Sequence, residues 1–234
     1  MSYSLIVPVA ADSIENNKSL PYLFGLSKDG IIICIKSILG MDLSVFSNIY
    51  FTILKKHDDT FFVADSLNMQ LKRLGINNVK VVILDEPTTD ESETVYQTIK
   101  AENITGPIFI KDGDSFFNAA IDSPNGVAIY PIEELEFLDP RNKSYVAVDD
   151  MFYITNIIEK SVVGHYISAG GYAIEDAALF CNYYDRLRSY GKLYLSHLIY
   201  AMLLDKKTFR PIMVKEYKDW GSMVSYALNQ HGVW

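Results

Sequence analysis

Residues 106–117 read GPIFIKDGDSFF, an apolar run that ends in two aspartates separated by one glycine. The run is typical of a buried strand, and Asp112 and Asp114 follow it directly. If the chain stays extended through Gly113, both carboxylates project to the same side. In open parallel sheets, ligands bind beyond the carboxyl ends of the strands. The stretch is therefore either a solvated Asp-Gly turn or the metal-holding end of a strand.

Short runs rich in β-branched residues alternate with helical patterns through the first half of the chain. We predict strands at residues 4–10, 48–54, 79–84 and 107–111, and helices at residues 30–39, 64–74 and 91–102. Strands separated by helices of this length imply parallel βαβ units with right-handed crossovers.

The second half has closely spaced strand patterns, which favour antiparallel additions to the sheet. We predict strands at 126–130, 144–148, 152–159, 166–174 and 209–214, helices at 175–190 and 194–204, and a terminal helix. The sequence contains no repeat and no clear linker. We therefore expect one α/β domain, residues 1–234, with a mixed, mostly parallel central sheet.

Charge and hydropathy exclude several classes of partner. The chain carries 21 basic and 29 acidic residues, a net charge of -8, without a basic stripe. We therefore expect no nucleic-acid partner, because such a surface normally neutralises phosphates with clustered cations. No apolar run approaches the ~20 residues that cross a bilayer, so we expect no membrane span. The N-terminus lacks a basic region before its apolar run, and we expect a cytoplasmic protein. Cys34 and Cys181 are predicted to be buried thiols in a reducing compartment.

Four segments together carry a family resemblance. They are GPIFIKDGDSFF at residues 106–117, IIEK at 157–160, SAGGY at 168–172 and YKDWGS at 217–222. In this order they resemble motifs of the nucleotidyltransferases of the nucleotide-sugar pyrophosphorylase type, particularly the capsule- and lipopolysaccharide-type members found in bacteria. The resemblance implies a three-layer, Rossmann-like fold of the nucleotide-diphospho-sugar transferase (GT-A-like) class. It also implies transfer of a nucleotidyl group from a nucleoside triphosphate to a sugar phosphate or similar acceptor, in surface-polysaccharide biosynthesis.

The resemblance also implies roles for individual residues. Asp114 and Asp219 correspond to the catalytic aspartates that hold Mg²⁺. Glu159 and Lys160 correspond to the pair that contacts the sugar or its phosphate, while Gly171 and Tyr172 correspond to the strand that lines the acceptor pocket. Further substrate contacts are expected at Pro8, Ala10, Lys18, Thr89, Asp112 and Trp220. This arrangement suits the chemistry, because nucleotidyl transfer depends on in-line positioning and on charge neutralisation at the α-phosphate.

The segment after the first strand departs from the family pattern. Ala11 and Ser13 stand where the family has glycines, Glu15 stands where it has arginine, and Tyr22 stands where it has lysine. Glycines let backbone N–H groups converge closely on an anion, and side chains obstruct that approach. Replacing arginine by glutamate changes the local charge by two units beside a triphosphate. Lys18 is near enough in sequence to replace one lost cation.

A second departure lies in residues 88–94, TTDESET, which resemble the family segment that borders the base. Asp90 stands where the family has glycine, and Ser92 stands where it has alanine. The same residues are also a good helix start, with an Asp N-cap and Glu in the first turn.

Three functions remain open at this level. The first is a Mg²⁺-dependent nucleotidyltransferase with small-molecule nucleotide and sugar-phosphate ligands. The second is a nucleotide-sugar-dependent glycosyltransferase in which Asp112-Gly113-Asp114 serves as the metal motif. The third is a catalytically inactive homologue that binds a sugar phosphate, a nucleotide or a partner protein. Tyrosines at helical spacing after residue 182 favour packing or a dimer face, so a homo-oligomer is also left open.

Overall fold

The fold is described here from a computed structural model that covers residues 2–10, 20–135 and 142–221, together with Tyr226. The strands of the described chain are β1 (Tyr3–Pro8), β2 (Phe46–Leu54), β3 (Val79–Leu84), β4 (Ile108–Lys111), β5 (Ser115–Asn118), β6 (Gly126–Pro131), β7 (Ser144–Val148), β8 (Ile154–Glu159), β9 (Tyr166–Ile174), β10 (Arg210–Met213) and β11 (Lys215–Asp219).

The central sheet has the strand order β10-β6-β9-β4-β1-β2-β3, with β7 and β8 attached at β9. Strand β1 pairs in parallel with β2 and β4, and β2 pairs in parallel with β3. Strand β9 runs antiparallel to both β4 and β6. The predicted mixed, mostly parallel α/β sheet is thus confirmed, with its antiparallel strands in the second half of the chain.

The helices are α1 (Ile33–Lys36), α2 (Lys55–Phe61), α3 (Val63–Arg73), α4 (Glu91–Glu102), α5 (Ala177–Leu187) and α6 (Leu195–Leu204). Asp90 and Asp176 cap α4 and α5, because each side chain accepts a hydrogen bond from a backbone N–H of the first turn.

Apolar residues form one buried cluster on each face of the sheet. Val95 of α4, Phe180 of α5 and Ile199 of α6 belong to the first cluster. Ile35 of α1 and Leu67 of α3 belong to the second. Burial of side chains on both faces explains why the parallel strands are apolar along most of their length. The result is a sheet between two helical layers.

Several boundaries differ from the predicted ones. The helix predicted at 30–39 is only the single turn α1, in a stretch rich in β-branched isoleucines, which lose side-chain freedom in a helix. The helix predicted at 175–190 ends at Leu187 and continues as a 3₁₀ turn, Arg188–Tyr190. The strand predicted from residue 152 starts at Ile154, because Phe152 has a left-handed φ of 62°. The predicted terminal helix lies outside the described residues apart from Tyr226.

A small second sheet positions the candidate site. Strands β5 and β11 pair antiparallel, with Asp219 opposite Ser115 and Lys218 opposite Phe116. Trp220 follows β11, and its ring stacks on that of Phe116 with centroids 5.8 Å apart. This β5–β11 ribbon was not predicted, and it places β11 beside the acidic stretch.

Two simpler expectations are also tested by the fold. Cys34 and Cys181 are both free thiols and both buried, as predicted. Among the described helices, none combines the length and the apolar composition that a membrane span requires.

Candidate active site

A cleft of about 440 Å³ opens where β4, β8 and β11 end. Carboxylates and hydroxyl groups dominate its walls. Its lining comprises Glu91, Asp112, Asp114, Ser115, Asn142, Lys143, Ser144, Glu159, Lys160, Ser168, Ala169, Gly170, Tyr172, Tyr194, Leu195, Ser196, Tyr217, Asp219 and Gly221. Six of the predicted site residues thus meet in one place, at the carboxyl end of a parallel strand, where ligands bind in such sheets.

Asp114 and Asp219 converge although they are distant in sequence. The β5–β11 pairing brings their backbones together, and the N–H of Trp220 donates to the carbonyl oxygen of Asp114 at 2.7 Å. A Cβ placed on Gly221 would lie 3.1 Å from Oδ1 of Asp219 and 3.5 Å from Oδ2 of Asp114. Gly221 therefore lies against both carboxylates, which places Asp114 and Asp219 side by side at one edge of the cleft.

Asp112 takes a different place from the one that an extended chain would give it. Gly113 and Asp114 form a turn, so the chain is not extended through Gly113. The N–H of Asp112 donates to the carbonyl oxygen of Gly170 at 2.9 Å. Gly170 has a φ of +83°, and a Cβ there would lie 2.5 Å from Oδ2 of Asp112. Glycine is thus required at 170 both by the backbone and by the aspartate against it.

Glu91 completes the acidic wall and was missed by the sequence analysis. It is the first residue of α4, and its carboxyl group is hydrogen-bonded to that of Asp112. Burial raises the pKa of Glu91 well above its usual value, and the negative charge of Asp112 raises it further. Burial and the charge of Asp112 also raise the pKa of Asp114 to about 6.

Lys111 lies beneath this acidic wall and is fully buried. Its ammonium group donates at 2.7 Å to the carbonyl oxygen of Asp112, to the carbonyl oxygen of Ser115 and to Oγ of Ser115. Burial lowers the pKa of Lys111 to about 8 against the opposing effect of the nearby carboxylates. The lysine therefore holds the turn between β4 and β5 in shape.

Glu159 and Lys160 lie together on the opposite wall. Oε2 of Glu159 accepts hydrogen bonds from Oγ of Ser144 and, at 2.9 Å, from Oγ of Ser196. Lys160 has a left-handed φ of 58°, and its ammonium group donates to the Tyr194 hydroxyl at 3.0 Å. This hydrogen bond raises the pKa of Lys160, which keeps a positive charge at the mouth of the cleft.

Lys143 joins the two walls. Its ammonium group lies 2.7 Å from Oδ2 of Asp219 and donates to the Tyr217 hydroxyl at 2.9 Å. Burial disfavours its charge, but Tyr217 and Asp219 together raise the pKa of Lys143 above its usual value. The pKa of Tyr217 is also raised, chiefly by burial.

The glycine-tyrosine strand contributes unequally. Tyr172 lines the cleft, and its hydroxyl accepts a hydrogen bond from Oγ of Ser168 at 2.9 Å. Gly171 faces the core instead, because a Cβ there would lie 2.7 Å from the Phe117 ring and 2.9 Å from Ala128. Gly170, one residue earlier, is the glycine that lines the cleft.

Besides Gly171, four predicted substrate contacts among the described residues lie outside the cleft lining. Pro8 ends β1, and Ala10 is buried. The exposed Thr89 is hydrogen-bonded through its N–H and hydroxyl to Oε2 of Glu93, which makes it part of the helix start. Trp220 is a packing residue, 1% exposed.

Lys18, with Ala11, Ser13 and Glu15, lies outside the described residues. Tyr22, where the family has lysine, is described. Its hydroxyl donates to the carbonyl oxygen of Trp220 at 2.6 Å. Burial raises the pKa of Tyr22, and the charges of Asp114 and Asp219 raise it further, so the ring lies near both aspartates.

Comparison with known proteins gives a fold relationship. No family model matches the chain, and no curated protein matches it by sequence. Among solved structures, a nucleoside-diphosphate-sugar pyrophosphorylase from Vibrio cholerae RC9 superposes with a TM-score of 0.79 at 15% identity, over 97% of this chain and 99% of that one. The chain has the fold of the nucleotidyltransferases.

Two further structures agree. An inositol-1-phosphate CTP transferase from T. maritima has a TM-score of 0.69 at 14% identity, over 100% of this chain and 98% of that one. A UDP-glucose pyrophosphorylase complexed with UDP-glucose has a TM-score of 0.72 at 13% identity, over 99% of this chain and 98% of that one. These likenesses span nearly whole chains, so the Rossmann-like fold predicted from the motifs is confirmed.

Proposed function

We propose that this chain is a nucleotidyltransferase that joins a nucleotidyl group from a nucleoside triphosphate to a phosphorylated sugar or a similar acceptor. The observation that carries the proposal is the convergence of Asp114 and Asp219 beside Gly221, at the edge of a cleft that also holds Glu159 and Lys160. The nucleotidyltransferase fold supports it.

Mg²⁺ would be held by Asp114 and Asp219. Within the described ranges, no group of three or more His, Cys, Asp and Glu side chains forms a metal site. Two carboxylates nevertheless suit Mg²⁺, which commonly binds to one or two of them and to substrate phosphates and water. The raised pKa of Asp114 reflects its burial and the negative charge of Asp112, which a bound cation would offset. When bound, the ion would supply charge neutralisation at the phosphates.

The residues of the chain would divide the remaining work. We assign Glu159 and Lys160 to the acceptor: the carboxylate, fixed by Ser144 and Ser196, would accept from a hydroxyl group, and the ammonium would contact a phosphate. Tyr172 would close the pocket between them and Asp112. A role in surface-polysaccharide biosynthesis rests on the motif resemblance to capsule-type members and is proposed on that basis.

Each of the two alternative functions is supported by one observation. Asp112 and Asp114 both line the cleft and interact electrostatically, as a glycosyltransferase metal motif would. An inactive binding homologue is favoured by Tyr22, which stands near both aspartates without the positive charge of a lysine.

Calorimetric titration with each nucleoside triphosphate and with UDP-glucose, with and without Mg²⁺, separates these functions. We expect Mg²⁺-dependent binding of at least one triphosphate and its loss in Asp114→Ala. Asp150→Ala is the matched control, because Asp150 is exposed and lies outside the cleft. Binding of UDP-glucose alone would favour the glycosyltransferase, and absence of all nucleotide binding would leave the inactive homologue. Pyrophosphate release with a panel of sugar phosphates then tests transfer itself.

A further inference from the structure

Two lysines line the described part of the cleft, and they differ in how firmly they are held. The side chain of Lys143 is 15% exposed and contacts both Asp219 and Tyr217. Lys160 contacts a single hydroxyl group and also lies over the Tyr194 ring, 4.8 Å from its centroid. An ammonium group that is already ordered loses less conformational entropy when a ligand binds than a freely rotating one does.

Lys143 also lies beside the acceptor wall. Its carbonyl oxygen accepts a hydrogen bond from the N–H of Lys160 at 2.8 Å. The next residue, Ser144, pairs with Glu159 across β7 and β8 and donates to its carboxylate. Lys143 therefore directly precedes β7, the strand that positions the Glu159–Lys160 pair. Its side chain extends across the cleft to Asp219 on β11.

An ammonium group has three N–H donors. Asp219 and Tyr217 accept two of them, and Lys143 is at the cleft surface. Among the described residues, the ammonium group of Lys143 has no third acceptor, so one N–H can meet a ligand oxygen between the two walls. Phosphate is the ligand group that suits a lysine point charge in a cleft otherwise rich in carboxylates.

We infer that Lys143 binds the phosphate group of the acceptor and that Asp219 and Tyr217 hold its ammonium group in place for this contact. The inference rests on the proposed function, since it assigns a second phosphate contact to the same site. It gives Asp219 two tasks: its Oδ1 accepts a hydrogen bond from the N–H of Gly221, and its Oδ2 positions the lysine.

The test is the affinity for inorganic phosphate, measured calorimetrically and with sulfate as a second probe of charge alone. We expect Lys143→Met to weaken phosphate binding about 10- to 100-fold, the usual effect of losing a charge-assisted hydrogen bond. Lys143→Arg keeps the charge in a different geometry, so its phosphate affinity should be higher than that of Lys143→Met. Tyr217→Phe removes one of the two partners that hold the ammonium group. Its phosphate affinity should lie between those of the wild type and Lys143→Met.

Lys207→Met is the matched control, because Lys207 is also ion-paired, to Glu175 at 2.9 Å, but lies in another cavity. It should leave phosphate affinity unchanged. If Lys143→Met unfolds, Lys143→Gln takes its place, since it retains a hydrogen-bond donor without the charge. A purely structural role of Lys143 would lower the melting temperature and leave phosphate affinity unchanged, and that result would overturn the inference.

The two proposals fail separately. If the wild type binds a nucleoside triphosphate and Lys143→Met binds phosphate normally, the inference is wrong and the proposed function stands. If the wild type binds phosphate through Lys143 but no triphosphate, the proposed function is wrong and the phosphate site stands. If the wild type binds neither, both are wrong.

Discussion

Gly170 and Asp112 share one small space: a Cβ on Gly170 would lie 2.5 Å from Oδ2 of Asp112, and the carbonyl oxygen of Gly170 accepts the Asp112 N–H. Asp112 starts the turn that leads to Asp114. The left-handed backbone of Gly170, with φ +83°, therefore fixes where the acidic turn begins. Strand β9 controls the geometry of the acidic wall although it supplies none of its carboxylates.

Gly170→Ala should destabilise the protein by about 2–4 kcal/mol, because left-handed strain and steric overlap add. Gly75→Ala is the matched control: Gly75 has φ +76°, but beyond its chain neighbours no atom of the described residues lies within 4 Å of its Cβ position. Gly75→Ala should lower the free energy of unfolding by about 1 kcal/mol, because it introduces only the strain of the left-handed backbone. Urea unfolding of both variants measures the difference. If both variants lost the same free energy of unfolding, the Asp112 side chain would be able to move away from an alanine Cβ at position 170 without cost.

Lys111→Met tests the buried ammonium group under the acidic turn. The change leaves three acceptors without their donor and removes the positive charge beside Asp112 and Asp114. We expect a loss of about 3–5 kcal/mol in the free energy of unfolding. Lys72→Met, on the exposed side of α3, should change it by less than about 0.5 kcal/mol. A stable Lys111→Met protein would mean that the turn is held by other contacts.

The parts of this fold that local signals determine were predictable from the sequence. Strand β3 and helix α4 have the predicted bounds, because an apolar β-branched run and an Asp90 N-cap act on adjacent residues. The β5–β11 ribbon could not be predicted in this way, because the sequence of β11, KEYKD, is charged and partly exposed. Its pairing with β5 depends on contacts made about a hundred residues away, and strand propensity depends strongly on such context.

The candidate site divides in the same way. Asp114 and Asp219 belong to motifs, so their proximity could be expected from a resemblance. Glu91 was missed because glutamate in a first helical turn is explained by the helix itself. Lys143 was missed because nothing in its sequence neighbourhood indicates a partner on β11. The contact of Tyr22 with Trp220 likewise joins two segments far apart in the chain.

The Cys34 thiol should make unfolding sensitive to alkaline pH. Burial raises the pKa of Cys34 to about 12, whereas an unfolded thiol titrates near ~8.5. Since the folded state holds this proton more tightly, its stabilising contribution is complete below the unfolded pKa and is lost as the pH rises through this window. In Cys34→Ala, the decline of unfolding free energy between pH 8 and 10 should be shallower than in the wild type. Identical slopes would contradict the prediction, as would rapid labelling of the native Cys34 thiol by an aromatic disulfide.

Glu159→Gln should separate the two substrates of the proposed reaction. Its carboxylate is fixed by the hydroxyls of Ser144 and Ser196, and an amide that replaces it can accept at one oxygen only. We expect the KM for the phosphorylated acceptor to rise at least about tenfold, with the KM for the triphosphate within about twofold. Ser196→Ala should move the same parameter by less, because Ser144 still holds the carboxylate. Glu86→Gln, an exposed change outside the cleft, should move neither. An equal rise in both KM values would place Glu159 at the triphosphate and require the two walls of the cleft to be reassigned.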